Sequence, residues 1–217
     1  MTAEPATDPR ATRRHPRKVR LTSRQIRVLA HPLRARLLGA LRMDGPATAT
    51  TLARALDTNT GATSYHLRQL AEVGLVEEVE QGTARQRWWR AVHDVSSWRS
   101  TDFDDDPDAS PASDWIQAHQ VSRAAEQAER WVAEQRDWPR PWREASGFSD
   151  YRLRLTPKQL AALQEEIWQV IARYARQPPV DTGEEEEARD VLVFYSGFPR
   201  LPENAPPPRP TDGRDRP

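Results

Sequence analysis

The 217-residue chain contains no cysteine. That excludes disulfides, thiolate metal sites and cysteine nucleophiles, and it fits a reducing compartment. No apolar run approaches the ~20 residues that a membrane helix needs, and the N-terminus lacks an apolar signal core. A cytoplasmic protein with no membrane partner is the expectation. Apolar residues reach only 37%, against 29% charged residues, and 19 prolines crowd the ends and a few linkers. Such a composition predicts a modest folded body with disordered tails. The chain also lacks a Gly-rich phosphate loop, a serine-centred elbow and a His-Glu zinc motif, so neither an enzyme nor a bound cofactor or metal is expected.

What is present is asymmetric. The formal net charge is zero, yet through His93 about sixteen Lys and Arg stand against about eight Asp and Glu. A basic half suits a polyanion, because each neutralised phosphate releases condensed counterions. Residues 1–20 hold three prolines, the cluster Arg13, Arg14, Arg17, Lys18 and Arg20, and little that is apolar, so they read as a disordered basic tail.

The next segment, 21–93, reads as one domain. Thr22 and Gln25 form a capping-box pattern opening a short helix through Ile26 and Leu29. Pro32 suits the first position of a second helix, whose apolar face is Leu33, Leu37, Leu38 and Leu41. Thr48 can cap a third helix with Leu52, Ala53 and Leu56 inward, and Asn59 a fourth with Leu67 and Leu70 on one face. Gly74 ends that helix, and Leu75, Val76 and Val79 predict a strand. A hairpin tip near Gly82 then leads into a returning strand at Trp88 and Trp89.

Helix, helix, helix, turn, helix and hairpin is the order of a winged helix-turn-helix, in which the fourth helix enters the major groove N-terminus first. Its leucines would hold the body, while Thr60, Gly61, Ala62, Ser64, Tyr65 and Arg68 form the groove-facing set. Small residues permit close approach, and Arg68 reaches a phosphate or a guanine edge. Arg85 and Arg87 would carry the wing. These eight residues are the candidate DNA-binding set.

Ser64-Tyr-His-Leu-Arg-Gln-Leu70, then Gly74-Leu-Val76 and a strand leading to Gly82, resembles the recognition helix and wing of ArsR-type regulators. His31-Pro-Leu-Arg-Ala-Arg-Leu-Leu38 resembles the opening of that family's second helix. The resemblance covers roughly a third of the chain. It implies a homodimer on a near-palindromic operator, usually a repressor released from DNA by an effector. Founding members sense metal through cysteines; this chain has none, and no carboxylate–histidine ligand pattern replaces them.

Beyond His93 the composition turns acidic. Residues 94–113, with five aspartates between Asp102 and Asp108, read as an acidic linker. The closing Glu and turn Gly of a calcium loop are missing. Residues 114–198 read as a dimerisation or effector domain: a helix capped by Asp114, then a strand-helix-strand unit. Tyr151, Leu153 and Leu155 alternate with arginines as a strand. Thr156 and Gln159 then cap a helix with Leu160, Leu163, Ile167, Val170, Ile171 and Tyr174 on one face, and a second strand spans about 190–196. Trp98, Trp115, Trp131, Trp138, Trp142 and Trp168 serve a core or dimer seam, with a pocket for a small apolar effector as the alternative. Residues 199–217 read as a disordered Pro-rich tail.

The fold class expected is therefore α+β, mainly helical. The expected function is a sequence-specific, DNA-binding transcriptional regulator, acting as a dimeric repressor on double-stranded DNA. The alternatives are a protein-interaction module, or a ligand-binding protein whose winged helix only dimerises.

Overall fold

A computed structural model describes residues 16–80, 86–176 and 189–200. Capping chemistry sets the first elements. The Thr22 side chain accepts from the Gln25 amide and Gln25 reaches back to the Thr22 amide, starting helix α1, Ser23–Leu29. His31 Nδ1 accepts from the Leu33 amide at 3.1 Å and Pro32 opens α2, Pro32–Met43. Thr48 Oγ1 caps α3, Ala49–Ala55, at 3.1 Å, and Asn59 Oδ1 caps α4, Thr60–Glu72, at 2.7 Å. The turn between α3 and α4 passes through Asp57 at φ 50°, a conformation that a short acidic side chain tolerates. Gly74, at φ 70°, ends α4 as the sequence predicts.

Strands Lys18–Arg20 (β1), Ala47–Thr48 (β2), Val76–Val79 (β3), Trp88–Ala91 (β4) and Val95–Ser97 (β5) make two small sheets. One is antiparallel in the order β2-β4-β3; the other pairs β1 with β5 in parallel. The β3–β4 ribbon is the wing. Neither β1 nor β2 is expected from the sequence, because each is too short to show a pattern. Helices Ala109–Glu134 (α5), Arg140–Ala145 (α6) and Pro157–Arg176 (α7) complete the described residues, with short 3-10 turns at Ser100–Phe103 and Gln135–Asp137. The fold is α+β and mainly helical, with an N-terminal winged helix-turn-helix.

One core holds the winged helix together. Ile26, Leu29, Leu37, Leu38, Leu41, Leu52, Leu67, Leu70, Leu75, Val76 and Trp89 are buried in it. Each aliphatic side chain there contributes about 1.5–3 kcal/mol. Phe103, Ala109 and Ile116 belong to the same cluster, which corrects the reading of 94–113 as a linker. Phe103 is buried, and two aspartates that flank it are met by arginines of the body. Arg20 pairs with Asp102, and Arg27 Nη1 lies 3.1 Å from Asp106. The Asp106 carboxylate accepts the Ala109 amide at 2.9 Å, so α5 starts at Ala109 and not beyond Asp114. The acidic run is a docking seam, and α5 packs its first turns on α1.

The tail reading also needs correction at its C-terminal end: residues 18–20 form a strand, while residues 1–15 lie outside the described residues. Residues 201–217 likewise lie outside them, and Pro199 and Arg200 are neither helix nor strand. The strand-helix-strand unit appears only as its helix. Thr156 and Gln159 cap α7 as expected, but residues 150–155 and 190–196 form no strand. Alternating apolar residues make a strand only where an edge is present to pair with.

Candidate nucleic-acid interface

Helix α4 has one face in the core and the other open to solvent. Thr63, Leu67 and Leu70 are fully buried against α2, α3 and β3, while Thr60, Gly61, Tyr65 and Arg68 are exposed and Ala62 and Ser64 half-buried. The spacing of Leu67 and Leu70, with Thr63 one turn earlier, leaves the opposite stripe to solvent. At the start of α4 the approach is close: a Cβ on Gly61 would meet Asn59 Oδ1 at 3.3 Å, so the helix opens with little side-chain bulk.

Beside that stripe lies a cleft of about 410 Å³ lined by Thr48, Ala49, Thr50, Thr60, Ser64, Arg68, Gln86, Arg87 and Trp89. It joins the start of α3, the first three turns of α4 and the wing. Of the eight sequence-predicted residues, Thr60, Ser64, Arg68 and Arg87 meet there. Gly61, Ala62 and Tyr65 sit on α4 outside its lining, and Arg85 lies outside the described residues. Thr48, Ala49, Thr50, Gln86 and Trp89 are additions that sequence reasoning missed. Thr48 is legible as a cap, but its place beside α4 depends on β2 joining the wing at Thr48↔Trp88.

The wing is less cationic than its arginines suggest. Glu77 faces Arg90 across the ribbon at 2.7 Å, and Glu78 lies 3.6 Å from Arg87. Arg68 instead donates to the Ser64 carbonyl of its own helix at 3.2 Å, and no carboxylate among the described residues pairs with it. It is the cation of the cleft free to meet a phosphate.

Behind the helix two histidine sites are set by burial. The His66 ring lies 4.4 Å from that of His31, tilted by 36°, and meets Tyr65 edge-on at 5.1 Å. Burial, then the His31 and Arg34 charges, pushes the His66 pKa down; burial and then Arg34 do the same for His31. His66 therefore packs as a neutral ring, with a buried Nδ1 that has no partner among the described residues. His93 is buried against Arg42, and both meet the Ser96 hydroxyl, at 2.9 and 2.6 Å. Burial and then Arg42 lower the His93 pKa to about 4, and burial lowers Arg42 to about 10. Among the described residues, no group of three or more His, Cys, Asp and Glu could hold a metal ion. No helix among them is long and apolar enough to cross a membrane.

The tryptophans divide. Trp98 donates to Ser113 Oγ at 2.9 Å and packs with Trp115 on the core. Trp131, Trp138 and Trp142 touch edge-on in series, at 5.6 and 6.3 Å, and Lys18 lies over Trp168.

Residues 29–79 match the family model described as a helix-turn-helix domain. No curated protein matches. Among solved structures, the chain is similar to the homodimeric winged helix-turn-helix DNA-binding domain of a possible ArsR-family transcriptional regulator from Mycobacterium bovis. The identity is 20%, over 48% of this chain and 77% of that one, with a TM-score of 0.31. A possible transcriptional regulator for arsenical resistance is 30% identical over 51% of this chain and 94% of its own, with a TM-score of 0.28. A doubly substituted mutant of ZitR from Lactococcus lactis is 14% identical over 72% and 77%, with a TM-score of 0.28.

Proposed function

Residues 29–79 of this chain are a helix-turn-helix domain of the ArsR-type winged family, and from that premise we propose that the protein is a dimeric repressor reading double-stranded DNA through α4. The observation that carries the reading is the division of α4. Leu67 and Leu70 are buried completely, while Thr60, Gly61, Ala62, Ser64, Tyr65 and Arg68 leave a small, polar face beside an open cleft. A helix built for packing alone would not open with threonine, glycine and alanine at its exposed end.

In this reading the first turn of α4 enters the major groove, Arg68 meets a phosphate or guanine edge, and the cleft between α3 and the wing receives the neighbouring backbone. A dimer would set two such helices about 34 Å apart, one turn of DNA, on a near-palindromic site. Repression follows the resemblance of residues 64–76 and is tested separately, with a reporter placed behind the selected site.

Selection of bound sequences from random duplex DNA, followed by titration at rising salt, tests the DNA reading. A preferred near-palindrome bound at least ~1,000-fold above bulk DNA supports it. Equal binding to every duplex, or none at low salt, overturns it.

A further inference from the structure

Outside the winged helix, two stretches combine open backbone with exposed apolar side chains. Before α7, Tyr151 is 84% and Leu153 60% exposed; after it, Val191 is 63% and Phe198 77% exposed. Neither stretch belongs to a sheet, and the main-chain groups of residues 147–155 and 191–196 bond to no other backbone group among the described residues. Helix α7 between them turns Val170 and Tyr174 outward as well. The residues alternate as strands do, but the pairing that would make them strands is missing.

The amount of surface indicates what covers it. Twelve large apolar side chains from Phe148 to Phe198 stand at least 40% exposed. At roughly 150–250 Å² for a whole aromatic side chain and less for an aliphatic one, they present on the order of 1,000 Å². A stable partner interface takes about 800 Å² from each side, so the summed apolar surface of these segments is of the size that a second copy would cover. A single copy offers two strand-forming stretches and one helix, and two strands are marginal in water. Two copies offer four such stretches and a pair of α7 helices, enough for a sheet with one face covered.

We propose that this surface joins two copies of the chain, the segments around 151–155 and 191–196 of each adding as strands to those of the other. The proposal rests on the dimeric reading above and gives it a location: the seam lies outside the winged helix, on the unit centred on α7. A two-fold arrangement meets the requirement that one surface be complementary to itself.

The test uses the full chain. Sedimentation equilibrium at micromolar concentration is expected to give twice the 24.8 kDa chain mass. Leu153→Arg and Val193→Arg are each expected to give the single-chain mass, with the far-ultraviolet circular dichroism of α1 to α5 kept. A wild-type monomer, or arginine variants that remain dimeric, overturns the proposal. Because the chain has no cysteine, single-cysteine variants provide a readout that does not depend on disruption. Tyr151→Cys should be linked between copies by a short bismaleimide, and Glu72→Cys on α4 should not. Equal linking at both positions, or at neither, overturns the seam. DNA half-site binding by wild type reports on a single winged helix, so this proposal and the DNA reading fail separately.

Discussion

Consider moving the protein from about pH 7.5 to about pH 5.0. His93 is buried beside Arg42, and its folded pKa is about 4 against an unfolded value near 6.5. Burial is the larger cause and the Arg42 charge the second; Asp94 opposes them in part. The native state therefore keeps the ring neutral while the unfolded chain takes up a proton. A base with a depressed folded pKa supplies its full stability above pH ~6.5 and loses it progressively down to pH ~4. Integrated over that interval, the loss is about 3 kcal/mol, of which about 2 kcal/mol has gone by pH 5.0. His31 and His66, also lowered, act in the same direction. Asp102 and Asp106, held down chiefly by Arg20 and by the Ala109 amide respectively, give up their contribution only in the carboxylate range below this window. The assay is urea unfolding of wild type and His93→Gln at both pH values. The gap between the two proteins should shrink by about 2 kcal/mol on acidification. Parallel stability curves would mean that His93 titrates normally and that the Arg42–His93–Ser96 cluster is not a buried unit.

Three further outcomes follow from the geometry. Arg68→Ala should weaken DNA binding by ~1–3 kcal/mol if the guanidinium reads a base and by less if it meets a phosphate, measured by fluorescence anisotropy on the selected site. Glu78→Gln should free Arg87 from its partner at 3.6 Å and tighten binding, by up to about 1 kcal/mol at low salt; unchanged affinity would remove the wing strand from the interface. Phe103→Ala should cost about 3–5 kcal/mol in urea unfolding, whereas a phenylalanine in a solvated linker would cost almost nothing.

The reading head is legible because its signals are local. Thr22, His31, Thr48 and Asn59 each sit where a helix starts, and each side chain makes the capping bond that its position suggests. Leucine spacing marks the buried face of α4 for the same reason. What escapes depends on partners distant in sequence. Asp102 reads as linker until Arg20, 82 residues away, is found against it. β1 is three residues whose pairing partner is β5. The opposite error occurs around Tyr151 and Val193, where a strand pattern exists but no strand among the described residues pairs with it. Local chemistry thus specifies the helices and their caps, while pairings across long sequence distances decide which charged or alternating stretches are structured.

The same lesson bears on how strongly salt should weaken DNA binding. Through His93 the cations number about sixteen, and if every one met a phosphate, the slope of log K against log salt would approach about −14 per protomer. The structure holds half of them elsewhere. Arg20, Arg27, Arg87 and Arg90 face carboxylates. Arg34 and Arg36 donate to the carbonyls of Val28 and Leu56, Arg42 is mostly buried, and Lys18 lies over Trp168. In the cleft, Arg68 is left. A variant lacking residues 1–15, and so without Arg10, Arg13 and Arg14, keeps five cations outside those engagements, Arg17, Arg24, Arg54, Arg68 and Arg85, and should therefore show a slope no steeper than about −4.5 per protomer. Titration of that variant on the selected duplex from low to moderate salt measures it directly. A slope beyond about −6 would require the Arg–carboxylate pairs of the wing and the α1 seam to open on DNA, and the pairing described above would then be the wrong picture of the bound state.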